Sequence, residues 1–118
     1  METAAIANDL GTIYIADQVI AVIARDTALS MEGVYGMDDR SHGIQGVISN
    51  EDAEGVKVSV KNGVVTVDMY ICFRHGFRIP ALALTMQETV KENIKNVTGI
   101  SVNSVNINVQ QIIFEADG

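Results

Sequence analysis

The chain has little of several residue types, and each shortage argues against a class of protein. Its 118 residues include one cysteine, one proline and no tryptophan. Cys72 alone cannot form an internal disulfide, so a secreted disulfide scaffold does not fit and a reducing compartment does. No apolar run approaches the about 18 residues that a membrane-spanning helix needs. Residues 1–10 lack the basic start of a signal peptide. These shortages predict a cytoplasmic protein.

Basic residues are also scarce. Lysine and arginine total 8 against 15 aspartates and glutamates, which gives a formal net charge of −7. Nucleic-acid binders draw much of their affinity from cations that neutralise phosphates, and anionic lipids likewise attract basic segments. The composition therefore predicts no nucleic-acid partner and no direct membrane insertion. Since 47% of the residues are hydrophobic, we expect a single domain over 1–118 that needs no metal or cofactor to fold.

Two alternating segments meet at residues 62–63 and predict a β-hairpin. The Asn-Gly pair found there favours a type I′ turn. A two-residue loop places Val60 opposite Val65 and Lys57 opposite Asp68. Apolar residues then share one face and polar residues the other, and a slip of one residue would invert every side chain.

Apolar residues at helical spacing predict two helices. The first begins with an N-cap at Asp17 and ends at Gly33. The second has Pro80 in its first turn and Gly99 after its end. The predicted buried stripes are Ile20, Ile23, Ala24, Thr27, Ala28 and Met31 in the first helix, and Leu82, Met86, Val90, Ile94 and Val97 in the second.

Further strands are predicted at 11–16 and 105–110. Between 34 and 54 the alternation is lost, and turn-forming residues predict a mobile loop over 38–54. The element order is β-α-β-β-α-β, an α+β fold of the split type, with an antiparallel-rich sheet and two helices on one face.

Few residues suggest catalysis, nucleotide binding or metal binding. Residues 33–36 have the G-x-x-G spacing of KH domains, but acidic neighbours favour a helix stop and turn. Cys72 and His75 lack a third orienting group, so a catalytic pair is not favoured. His42 in the predicted loop offers one imidazole, too few ligands for a metal. We therefore predict no catalytic, cofactor or metal residues.

Three groups of residues suggest contacts with proteins. Arg74, His75 and Arg78 form a basic cluster that suits an acidic partner or simply solubilises a loop. Tyr14 and Tyr70 are predicted to share the open sheet face. The last strand continues past the length needed to pair with the short first strand, so residues 105–114 are predicted either to contact a second copy or to fold back. The residues involved are Asn106, Asn108, Gln110, Ile112, Ile113 and Phe114.

Across about residues 11–114 the chain resembles the alkaline shock protein family of Gram-positive bacteria. The resemblance rests on the order and spacing of many short segments. They are GTIYIAD at 11–17, VI at 19–20, IA at 23–24, EGV at 32–34, GM at 36–37, GVKV at 55–58, VD at 67–68, Gly76, IP at 79–80, Gln87, VK at 90–91, TG at 98–99, Val102 and VNI at 105–107.

The resemblance implies a non-enzymatic cytoplasmic scaffold or adaptor in cell-envelope stress or homeostasis. It implies homo-oligomers and a protein partner, which in some relatives is a membrane-anchored receptor that brings them near the membrane. It implies no catalytic residues. An alternative is a regulator of lipid or fatty-acid metabolism that contacts an enzyme. A KH-like RNA-binding protein is a more remote hypothesis, because an acidic chain repels the RNA backbone.

Overall fold

The computed structural model of the protein describes residues 3–38 and 55–115. The α+β class is confirmed. The elements are β1 (Ala4–Asn8), β2 (Gly11–Ile15), α1 (Asp17–Leu29), β3 (Val34–Met37), β4 (Val56–Lys61), β5 (Val64–Arg74), α2 (Ile79–Thr98) and β6 (Ser104–Ile113). Strands β1 and β3 were not predicted, and β3 occupies part of the stretch where no alternation was found. The predicted loop lies outside the described residues from 39 to 54.

Strands β4 and β5 form the predicted hairpin in the predicted register. Val60 lies opposite Val65, and Lys57 lies opposite Asp68. The turn residues 62 and 63 have φ angles of 52° and 78°, as a type I′ turn requires. The register puts the apolar side chains of β5 towards the helices and leaves its polar face outward.

The opposed charges of this hairpin provide a test of its register. We expect Lys57→Asp and Asp68→Lys to lose stability singly and to recover part of the loss together, with a coupling of about 0.2–1 kcal/mol. Recovery is partial because Asp68 also accepts a 2.8 Å hydrogen bond from Asn106 Nδ2. Urea unfolding of the four chains measures the coupling, and strictly additive effects would contradict the pairing.

Strand β5 is the centre of the larger sheet. Strands β4 and β3 pair with its first and second halves in antiparallel fashion, while β6 runs parallel to it from Thr66 to Arg74. Because β6 occupies one edge of β5, β3 and β4 share the other edge end to end. Helix α2 provides the long crossover that a parallel pair requires.

The expected pairing of the last strand with the first is therefore wrong. Strands β1 and β2 pair only with each other, in a separate two-stranded sheet. Strand β5 has 11 residues, so it is long enough to pair with β6 as far as Ile113. The final apolar residues of β6 thus have a partner within the same chain.

The two helices cover the inner face of the larger sheet. Thr27 of α1 accepts a 2.9 Å hydrogen bond from Asn93 of α2, which joins the helices. The largest fully buried side chains are Phe73, Ile20, Met69, Ile71, Met86, Ile94, Val67 and Val90. Most of the predicted helical stripes therefore lie in one core.

Three details of the helices differ from the prediction. Ala16, not Asp17, is the N-cap of α1, and Asp17 lies in the first turn, where an acidic side chain suits the helix dipole. Helix α1 ends at Leu29, and Gly33, with φ 106°, instead turns the chain into β3. Val97 is 68% exposed, whereas Ile100 just after the helix is buried. Gly99 ends α2 in the left-handed conformation as predicted.

Candidate functional site

The hairpin of β1 and β2 carries three exposed apolar side chains. Leu10 is 98% exposed, Tyr14 71% and Ile13 52%. Asn8 pairs with Gly11, so the turn consists of residues 9 and 10. The Leu10 N–H donates a 2.7 Å hydrogen bond to Asn8 Oδ1, which holds the leucine at the tip of the hairpin.

The open end of this hairpin, residues 4–6 of β1, is its root and packs against the rest of the protein. Ala4 is buried in the core, and Ile6 lies against Gly99, where an added Cβ would come within 2.9 Å of Ile6 Cδ1. A cleft of about 410 Å³ opens beside the root. The apolar residues that line it are Ala4, Ala5, Ile6, Val60, Val65 and Ile100, and Thr3 and Ser101 also line it.

Tyr14 and Tyr70 do not share a sheet, contrary to the prediction. Tyr14 belongs to β2 in the small sheet, and Tyr70 belongs to β5 in the large one. Tyr70 is half-buried on the outer face, between the inward-facing Met69 and Ile71. The error follows from treating β2 as part of the central sheet. An interface role for either tyrosine stays a prediction.

Side-chain hydrogen bonds connect β6 to β5 and to α2. Asn106 donates to the Asp68 carboxylate, and Asn108 Nδ2 donates to the Met69 carbonyl oxygen at 3.1 Å. Gln87 Nε2 also donates to the Val105 carbonyl oxygen at 2.9 Å. These contacts hold β6 and α2 to the sheet, so the asparagines serve the fold in addition to any role at an interface.

Cys72 lies on β5 and is buried. Its Sγ lies 3.9 Å from Gln111 Oε1. Burial raises the pKa of this thiol, and the nearby Asp38 carboxylate raises the pKa further. Both causes disfavour the thiolate, which is the nucleophilic form.

We therefore expect Cys72 to react more slowly with iodoacetamide at pH 8 than free cysteine does. Asp38→Asn should speed the reaction, because it removes one cause of the raised pKa. The unfolded thiol ionises at about pH 8.5, so this residue also makes the fold less stable as pH rises above that value towards the folded pKa. Alkylation followed by mass spectrometry measures the rate; a rate equal to that of free cysteine would contradict the expectation.

The predicted basic cluster is partly occupied by the chain's own tail. The Arg74 guanidinium pairs with the Glu115 carboxylate and lies over the Tyr35 ring, 5.5 Å from its centroid. The His75 ring stacks on Phe114 with centroids 4.2 Å apart. Arg78 is exposed at the start of α2. Binding of an acidic partner to this cluster stays a prediction.

The segment 105–114 is both folded and exposed. Ile112 packs against the core, and the Ile113 carbonyl oxygen accepts a 2.9 Å hydrogen bond from the His75 N–H. Val109 is 46% exposed and Phe114 is 72% exposed despite its stacking on His75. The end of β6 thus leaves apolar surface available, and its contact with a second copy stays a prediction.

Light scattering can test that contact. We expect the native chain to associate as its concentration rises and the double variant Ile113→Asp, Phe114→Ser to associate less. The reason is that the variant replaces apolar surface at the end of β6 by polar groups. A native chain that remains monomeric at every concentration, or a folded double variant that associates as strongly, would contradict the prediction.

The remaining sequence candidates show no assembled site among residues 3–38 and 55–115. Gly36 pairs with Cys72 inside β3, so the G-x-x-G residues form the entry to a strand. No group of three or more metal-ligating side chains occurs in this described part, and His42 lies outside it. None of the described helices is long and apolar enough to cross a membrane.

Leu10 and its hairpin tip were not identified from the sequence. The available signal was Asn8 and Gly11 around a two-residue turn, followed by alternation in β2. Strand β1 was missed because three of its five residues are alanine, a residue depleted in strands.

Comparisons with known proteins agree over nearly the whole chain. The model of the alkaline shock protein 23 family, described as having a cell envelope-related function, matches residues 5–114. The uncharacterized protein YqhY of Bacillus subtilis is 34% identical over 110 residues, covering 90% of this chain and 80% of the relative. The uncharacterized proteins YloU of Bacillus subtilis and Spy1614 of Streptococcus pyogenes are each 32% identical over 106 residues, covering 86% of this chain and 88% of each relative. No solved structure gives a significant match. The chain therefore belongs to the alkaline shock protein 23 family, whose function is related to the cell envelope.

Proposed function

We propose that the protein is a non-enzymatic adaptor or scaffold of the cell envelope that acts by self-association and protein contact. The observation that carries the proposal is the hairpin of β1 and β2, which presents Leu10, Ile13 and Tyr14 to solvent. Side chains of this size are commonly buried in folded proteins, so three exposed ones on a single hairpin favour a contact made by this hairpin.

A scaffold needs more than one contact surface on each copy. The second surface of this chain is the end of β6, where Val109 and Phe114 are exposed. It belongs to the large sheet, whereas the hairpin forms a separate sheet. Two separate surfaces allow one copy to bind another copy and also a further protein.

The family's relation to the cell envelope supports an envelope-associated partner. No described helix could span a membrane, so the proposal assigns the membrane contact to that partner. The formal charge of −7 also opposes direct docking on anionic lipid.

Affinity capture from host cells with membranes retained tests the proposal. The bait is the native chain carrying one tag, in cells that also express a second copy with another tag. We expect the second copy and an envelope protein to co-purify with it. The double variant Ile13→Ser, Tyr14→Ser should lose one or both, whereas the exposed helix variant Val97→Ser should lose neither.

Other outcomes of this capture contradict the proposal. Recovery of a lipid-metabolism enzyme without a second copy favours the regulator instead. Recovery of RNA that survives washing at high salt favours the RNA-binding alternative. If the hairpin variant captures the same proteins as Val97→Ser, the exposed hairpin is not the contact surface and the proposal loses its support.

A further inference from the structure

The hairpin of β1 and β2 carries a knob at one end and a cleft at the other. The knob is Leu10, which is 98% exposed and fixed in the turn by its hydrogen bond to Asn8. The cleft beside the hairpin root has a volume of about 410 Å³ and is lined by apolar residues together with Thr3 and Ser101. None of the described residues that line it carries an ionisable side chain.

We infer that the Leu10 tip of one copy docks into the root cleft of a second copy. The inference rests on the self-association in the proposed function and names its contact. A cleft whose described lining includes six apolar residues and no ionisable side chain suits a leucine side chain, whose burial releases water from both surfaces.

The charges around the two ends are complementary. Asp9 precedes Leu10 at the exposed tip. Lys95 Nζ lies 3.0 Å from the hydroxyl of Ser101, which lines the cleft. A docked tip therefore brings an acidic side chain towards this lysine, which favours this orientation of the hairpin.

The geometry lets both copies dock at once. Each strand of the hairpin has five residues, or about 16 Å at the usual rise. When two hairpins lie antiparallel, the tip of each reaches the root of the other. Such an arrangement has two-fold symmetry, makes every contact twice and closes as a dimer.

Sedimentation velocity over a range of concentrations tests the inference. All chains carry Phe114→Ser, which removes the exposed ring at the end of β6 and leaves the hairpin contact under test. We expect this parent chain to dimerise. Adding Leu10→Ser should weaken the dimer at least about a hundredfold, because each dimer loses two buried leucines. Adding Val97→Ser, a matched exposed position on α2, should change nothing.

A second variant obstructs the cleft and keeps the leucine. Ala5 is exposed and lines the cleft, so we expect the bulky side chain of Ala5→Trp to obstruct the cleft without removing a core residue. A mixture of the Leu10→Ser and Ala5→Trp chains retains one open cleft and one intact tip. We therefore expect the mixture to associate more strongly than either variant alone. Circular dichroism of each chain checks that it is folded.

Two results would overturn the inference, and they differ in what they say about the proposed function. If the parent dimerises and both hairpin variants dimerise equally well, or their mixture gains nothing, self-association stands and this contact is excluded. If the parent and the chain with native Phe114 are both monomeric at every concentration, self-association and this contact fail together.

Discussion

Replacing Phe73 by alanine should lower the free energy of unfolding by about 3–5 kcal/mol. Phe73 is fully buried and lies near the end of β5, the central strand of the large sheet. It pairs with Val34 of β3 on one side and with Ile112 of β6 on the other. A cavity here therefore removes contacts from three strands at once. Domains of this size are stable by about 5–15 kcal/mol, so the loss is a large part of the total.

Guanidinium unfolding of Phe73→Ala measures the effect, and Phe114→Ala, unfolded in the same way, is the matched control. Phe114 is 72% exposed, and its ring stacks on that of His75. We expect its replacement to cost less than about 1 kcal/mol. Losses of equal size would show that Phe73 is not at the centre of the core.

The β4–β5 hairpin was predictable because its determinants are local. Residues 62–63 favour one turn type, and the valines on either side can share a face in only one register. The register found in the structure, with Lys57 opposite Asp68, is the predicted one. The same holds for the end of α2, where Gly99 adopts a left-handed conformation that glycine adopts without strain.

The parts that the sequence did not predict depend on distant partners. Strand β3 has four residues and includes Gly36, and its pairing with β5 shifts register between Val34 and Gly36. So short and irregular a strand has no periodicity of its own. The parallel pairing of β6 with β5 depends on where α2 returns the chain, which apolar alternation does not specify.

The candidate site was predictable only in part, for the same reason. Tyr14 was identified as an exposed aromatic residue, and it is 71% exposed. Its sheet was wrong because β2 pairs with β1, a strand of mostly small residues. Leu10 has no distinguishing feature in the sequence. Its significance comes from a hairpin whose tip lies away from the core while its root borders a cleft.

The basic cluster shows how folding changes the meaning of a local pattern. In the sequence, Arg74, His75 and Arg78 are three neighbouring basic residues. In the structure the first two contact Glu115 and Phe114 of the tail, and Glu115 lies 41 positions beyond Arg74 in the chain. Arg78 remains exposed. A partner that binds here would have to compete with the chain's own C-terminal residues or bind alongside them.

Gly55→Ala should be the most costly of the small substitutions on the sheet. Gly55 has φ 73°, and an added Cβ would lie 2.7 Å from Met37 Cβ and 3.1 Å from the carbonyl oxygens of Asp38 and Tyr70. None of these atoms is the far end of a flexible side chain, so the backbone of β3 or β5 must shift. The Gly55 carbonyl oxygen also accepts a 2.8 Å hydrogen bond from the Tyr70 N–H, which that shift would disturb.

Gly63 is a close control for this substitution. Its φ is 78°, yet nothing lies within 4 Å of an added Cβ. Gly63→Ala should therefore cost only the left-handed strain of about 1–2 kcal/mol. Gly55→Ala should cost the same strain plus about 1–3 kcal/mol of overpacking. Urea unfolding of both variants isolates the steric part as their difference, and equal losses would mean that β3 and β5 are not so closely packed at Gly55.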